Sequence, residues 1–158
     1  GETGFTATLG ERIVALEGIE TIEFVDASVV ADTGEAAASV ARLYDAALDR
    51  RPDVEGATFW TEQLESATSS LDDLADAFIG SDEFAALYGD APDHGAYVDA
   101  LYGNVLDREA DDAGRAFWTD VLAADGFDAS DLLVFFSESE EFVANTAEAF
   151  GDGVLIIA

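Results

Sequence analysis

Cysteine, methionine and lysine are missing from this 158-residue chain, and it has only one histidine and two prolines. Without cysteine there are no disulfides, thiolate metal sites or cysteine nucleophiles. Without lysine there is no Schiff-base chemistry and no phosphate-loop ammonium. All six basic side chains are arginines and face 35 carboxylates, for a formal net charge of −29. Such a field repels phosphate backbones and anionic lipid, so no nucleic-acid partner is expected. No apolar run approaches the length of a bilayer span, so no membrane insertion is expected either. The same field attracts cations, Ca²⁺ included, and fits a heavily solvated, salt-adapted surface. No amino-terminal signal peptide is visible, and the lack of methionine, at residue 1 as elsewhere, is expected of a fragment or a processed product.

A repeated helical unit is the strongest feature present. A constant offset of 58 residues aligns Val40, Leu43, Tyr44 and Leu48 with Val98, Leu101, Tyr102 and Leu106. It also aligns Arg50, Asp53, Gly56, Phe59 and Trp60 with Arg108, Asp111, Gly114, Phe117 and Trp118, and Phe78, Ser81, Glu83 and Phe84 with Phe136, Ser139, Glu141 and Phe142. Two copies without net insertion indicate a duplicated supersecondary module, each copy burying its apolar face against the other.

Within a copy the order of elements is readable. Val40, Leu43, Tyr44, Ala47 and Leu48 fall at i, i+3, i+4, i+7 and i+8, the stripe of a core-facing helix that starts near Gly34 and ends before Pro52. Asp53 is placed to cap a second helix. Ser70 with Asp73 forms a capping box for a third, and Gly80-Ser81 separates a short fourth. In the second copy the same reading predicts helices over 97–106, 112–124, 130–136 and 139–150. The flanks differ. Short β-branched runs before residue 33 read as strands, and the apolar ending Val154-Leu155-Ile156-Ile157-Ala158 reads as another that could pair with them. The expected fold is therefore mainly α, two tandem repeats of about four helices each, with a small β element from the amino-terminal region and the carboxyl-terminal tail. The boundaries are residues 1–33, 34–89, 90–150 and 151–158.

The most specific motif is Leu48-Asp49-Arg50-Arg51-Pro52-Asp53 followed by Gly56, Phe59 and Trp60, answered by Leu106-Asp107-Arg108 with Asp111, Gly114, Phe117 and Trp118. A structural role covers all of it. The aspartate caps, the glycine permits close approach, the arginine bonds helix-end carbonyls or a carboxylate, and the aromatic pair enters the core. The competing role is calcium: Asp49, Asp53, Asp107 and Asp111 place oxygen ligands in short interhelical loops. Their spacing departs from the twelve-residue loop pattern, and an arginine beside them opposes a cation. No cofactor other than calcium is suggested. No catalytic residue is assigned, because His94 lies alone in a linker and no nucleophile elbow or phosphate loop is present. The expectation is a non-enzyme.

The pattern Leu-Tyr-x-x-x-Leu-x-Arg-x-x-Asp-x-x-Gly-x-x-Phe-Trp, then Phe-x-x-Ser-x-Glu-Phe, resembles a bacterial tandem helical-repeat domain of unknown function, itself distantly similar to phycobilisome linker domains. It is carried by Leu43 to Trp60 with Phe78 to Phe84, and by Leu101 to Trp118 with Phe136 to Phe142. Asp49 and Asp107 stand where that family usually has glycine. The resemblance implies a place near the carboxyl end of a secreted or cell-surface protein with hemolysin-type calcium-binding (RTX) repeats, exported by the type I secretion machinery. On that basis Asp152, Val154, Leu155, Ile156 and Ile157 are the expected secretion signal. The implied work is adhesion or interaction with a cell-surface, protein or glycan partner. A carbohydrate-binding module and an intracellular linker or scaffold are the alternatives.

Overall fold

A computed structural model describes residues 34–89 and 93–147 in full, and the backbone alone of 148–150 and of four short amino-terminal strands. Eight helices are present among the described residues, so the chain is mainly helical. α1 (Glu35–Leu48), α2 (Val54–Glu65), α3 (Leu71–Ile79) and α4 (Asp82–Tyr88) form the first copy. α5 (His94–Leu106), α6 (Asp112–Leu122), α7 (Ala129–Ser137) and α8 (Glu140–Phe150) form the second.

The caps explain most of these boundaries. Asp53 and Asp111 accept from the backbone N–H of Gly56 and Gly114 at 2.8 and 2.7 Å, starting α2 and α6. Ser70 and Asp73 close a reciprocal capping box on α3, and Asp128 and Asp131 do so on α7. Ser81 caps α4. α1 ends ahead of Pro52, and α5 ends with no proline beyond it, because Asp49 and Asp107 turn into the left-handed region with φ of 48° and 50°. That is the conformation for which helix ends ordinarily use glycine, and aspartate is among the few other residues that tolerate it.

The core is made largely of equivalent pairs. Val40 and Val98, Leu43 and Leu101, and Leu74 and Leu132 are all buried to within 1%. α3 packs against α7, and α1 lies across α7, α5 and α8, so the two copies share one apolar interior. A polar clamp crosses the seam. Arg42 on α1 donates from Nε and Nη2 to the two carboxylate oxygens of Glu138, at 3.0 and 2.6 Å, and Nη2 also reaches Ser39 Oγ at 2.9 Å.

The expected small β element is not supported. The amino-terminal backbone forms two separate antiparallel pairs, β1 (Gly4–Leu9) with β2 (Arg12–Glu17) and β3 (Thr21–Glu23) with β4 (Ser28–Val30). The tail with which they were to form a sheet lies outside the described residues.

Candidate functional site

In each copy the motif residues assemble around the tyrosine of the first helix. Arg50 Nε and Nη2 donate to Glu83, and Arg108 does the same to Glu141 at 2.8 and 2.9 Å. The guanidinium groups lie over the rings of Tyr44 and Tyr102, 5.2 and 4.7 Å from the centroids. Of the two partners considered for these arginines, the carboxylate takes the paired donors, and Arg50 also reaches one carbonyl, that of Arg51. The hydrogen bonds from arginine hold the Glu83 and Glu141 carboxyls below the ordinary glutamate value. Burial raises the Tyr44 hydroxyl above its usual value, with Asp53 adding to the shift.

Gly56 and Gly114 have a specific partner. A Cβ at these positions would come within 2.5 and 2.7 Å of the Tyr44 and Tyr102 hydroxyl oxygens, closer than real contacts allow. The close approach expected of these glycines is therefore to a side chain of the preceding helix.

The aspartates considered as calcium ligands do other work here. Asp53 and Asp111 cap helices, while Asp49 and Asp107 terminate them. Among the described residues no three histidine, aspartate or glutamate side chains are gathered where one metal ion would touch them. The secretion-signal residues Asp152, Val154, Leu155, Ile156 and Ile157 lie outside the described residues.

The aromatic pair departs from expectation. Trp60 and Trp118 are half-buried at the edge of the core, and Phe59 and Phe117 point outward, 53% and 58% exposed. Helical geometry gives the reason. Ala57, Thr61 and Leu64 form the inward stripe of α2 at i, i+4 and i+7, which leaves Trp60 on its flank and Phe59 beyond it.

At this corner the two copies diverge. Among the described residues Trp60 meets one other aromatic ring, Phe59, at 5.1 Å. Trp118 is surrounded by Phe117 at 4.9 Å, Phe135 at 4.7 Å, Phe136 at 5.9 Å and Phe127 at 6.3 Å. The 58-residue offset puts Ala77 opposite Phe135 and Ser69 opposite Phe127, so neither ring has a counterpart in the first copy. Phe135 is 52% exposed. Beside it a groove of about 230 Å³ runs between Trp118, Phe135 and the Arg108–Glu141 pair. Phe135 and Phe127 stand outside the pattern that the copies share. The signal lay in where they differ, as it did for Arg42 and Glu138, whose counterparts are Ala100 and Gly80.

Among the described residues no helix is long and apolar enough to cross a membrane. No curated protein matches the chain. One family model, the domain of unknown function DUF4214, matches twice, over residues 31–86 and 75–146. The two matches each take in one Tyr–Arg–Gly–Trp unit with its paired glutamate and together cover more than half of the sequence, so the chain belongs to the DUF4214 family as a tandem helical repeat.

Proposed function

We propose that this chain is a non-enzymatic interaction module of a secreted or cell-surface protein of RTX type, with the aromatic corner of its second repeat as the contact face. The observation that carries this reading is the cluster of Phe117, Trp118 and Phe135 on an otherwise acidic surface. Contiguous exposed aromatics of this kind mark contact sites, whereas scattered single ones do not. Covering the exposed halves of the two phenylalanines removes on the order of 200 Å² of apolar surface from water, worth about 5 kcal/mol, the scale of a binding hot spot. Family membership and the acidic, cysteine-free composition support an exported parent, with the type I secretion machinery as a transient partner through residues 151–158. Calcium in this reading belongs to RTX repeats elsewhere in the parent.

A carbohydrate partner is the second reading, since aromatic faces also stack on sugars. It gains less support, because the outward rings are phenylalanines and both tryptophans are half-buried. An intracellular scaffold resembling phycobilisome linkers would use the same face on an internal partner. Photo-crosslinking discriminates among them. Benzoylphenylalanine placed at position 135, and separately at the equivalent position 77, is exposed to intact cells and secreted protein of the producing organism. The expected result is a discrete protein adduct from 135 alone. Adducts with polysaccharide would favour the second reading, adducts found only with cytoplasmic protein would favour the scaffold, and equal adducts from both positions would refute the choice of face.

A further inference from the structure

A second feature lies against the Phe127 ring, where the copies meet. A cavity of about 280 Å³ opens there between Ile79 and Phe84 of the first copy and Tyr97, Leu122, Phe127 and Asp128 of the second. Part of its wall is absent from the repeated pattern: Ser69 stands opposite Phe127 in the alignment of the copies, and Ser137 opposite Ile79. The lining is mainly apolar and aromatic, and no arginine contributes to it.

Its polar groups are few and specifically engaged. The Tyr97 hydroxyl donates to the Ala129 carbonyl at 2.8 Å. Asp128 uses only Oδ1 in capping α7, accepting there from Ser130 N, Ser130 Oγ and Asp131 N at 2.9, 2.6 and 3.2 Å. Its Oδ2 accepts from no donor among the described residues. Those bonds also hold the carboxyl below the usual aspartate value, the Ser130 hydroxyl contributing most, so it is ionised at neutral pH. The chain's single histidine, His94, lines the same cavity.

An aromatic-walled cavity with a solvent-exposed carboxylate among its lining residues, in a chain of net charge −29, is the complement of an organic cation. A ring face attracts a cation through its quadrupole, and the overall field raises the local cation concentration. An apolar cavity of ~150 Å³ is enough for benzene, so this one has room for a ring and an ammonium head together. We propose that the cavity binds a small aryl- or alkylammonium ion, its charge on Asp128 Oδ2 and its apolar body among Phe84, Tyr97, Phe127 and Leu122.

Benzyltrimethylammonium is the probe, titrated into the ¹⁵N-labelled protein at constant high ionic strength. Benzyl alcohol tests the ring without the charge, and tetramethylammonium the charge without the ring. The expected result is saturable shifts confined to amides around 79, 84, 94–97, 122 and 127–129, with both controls ~10-fold weaker or more. F127S, which writes in the residue of the first copy and leaves the charge unchanged, should weaken binding by a similar factor. D128N keeps an Oδ1 acceptor for the cap and should erase the preference over benzyl alcohol; it carries the test alone if circular dichroism shows F127S to be misfolded. Shifts spread over the acidic surface, no saturation, benzyl alcohol binding as well as the cation, or unchanged binding and preference in the folded variants would each overturn the proposal.

Discussion

Substituting Gly56 by alanine places the new Cβ 2.5 Å from the Tyr44 hydroxyl oxygen, 3.3 Å from Asp53 Oδ1 and 3.4 Å from Tyr44 Cζ. Only the first contact is prohibitive. The tyrosine cannot swing away freely, because its ring is 6% exposed, sits edge-on to Phe78 at 4.6 Å and carries Arg50 over its face. Overpacking of this kind costs about 1–3 kcal/mol. Alanine in the first turn of α2 recovers part of that through helix propensity, by less than ~1 kcal/mol. The net expectation for G56A is a loss of about 1–2 kcal/mol. Removing the hydroxyl leaves the ring carbon at ordinary contact distance, so Y44F should rescue G56A, with a coupling energy of about 1 kcal/mol. Urea unfolding of the four species of the cycle, at one salt concentration, measures it. Additive effects, within the ~0.5 kcal/mol seen for independent sites, would refute the claim that the tyrosine is what excludes a side chain at position 56. G114A with Y102F should behave alike and more mildly, the corresponding distances being 2.7 and 3.5 Å.

R42A strips a mostly buried carboxylate of its bidentate partner and should cost about 3 kcal/mol, whereas R42M with E138L should recover most of that loss in the same unfolding assay. D49G and D107G relieve a non-glycine residue in the left-handed region and should each raise stability by up to about 1 kcal/mol. The Glu83 and Glu141 carboxyls are held below their ordinary value of 4.5, so their contribution is present above that pH and is lost as pH falls through the folded value. E83Q and E141Q should therefore be less stable than wild type at pH 7, by no more than ~1 kcal/mol for exposed pairs, and the gap should close in acid. Sodium chloride should raise the melting temperature by screening 35 carboxylates against six arginines; stabilisation by micromolar Ca²⁺ at fixed ionic strength would show instead a specific ion site in this chain.

The helical framework was legible because its signals are local. Capping residues and periodic apolar positions each act within a turn or two, and the second copy repeats them, with Asp128 in the place of Ser70; the glycine break before Ser81 has no such repeat, since Glu138 precedes Ser139. Asp49 and Asp107 serve as helix stops through a left-handed φ, and a φ angle leaves no trace in composition. The tryptophans illustrate another limit. Periodicity marks a helix face, but adjacent aromatics point 100° apart, and only the packing of α2 and α6 decides which of them turns to solvent. Arg42 and Glu138 are 96 residues apart in the chain, and no local pattern joins them. Phe135 and Phe127 are breaks in the repeat, and only the folded chain shows that both rings meet Trp118.

In the proposed reading the shared motif builds the scaffold, and the aromatic corner of the second copy, Phe117 beside Phe135, makes the contact. Binding of fluorescently labelled protein to intact cells of the producing organism, read by flow cytometry at physiological salt, tests this most directly with F117S/F135A beside the first-copy variant F59S. Both variants must first match wild type by circular dichroism. F117S/F135A is expected to lose most of the bound signal, ~10-fold or more for two anchoring rings, while F59S retains it. Equal retention by both variants, or equal loss, would contradict the assignment of the contact face to the second repeat.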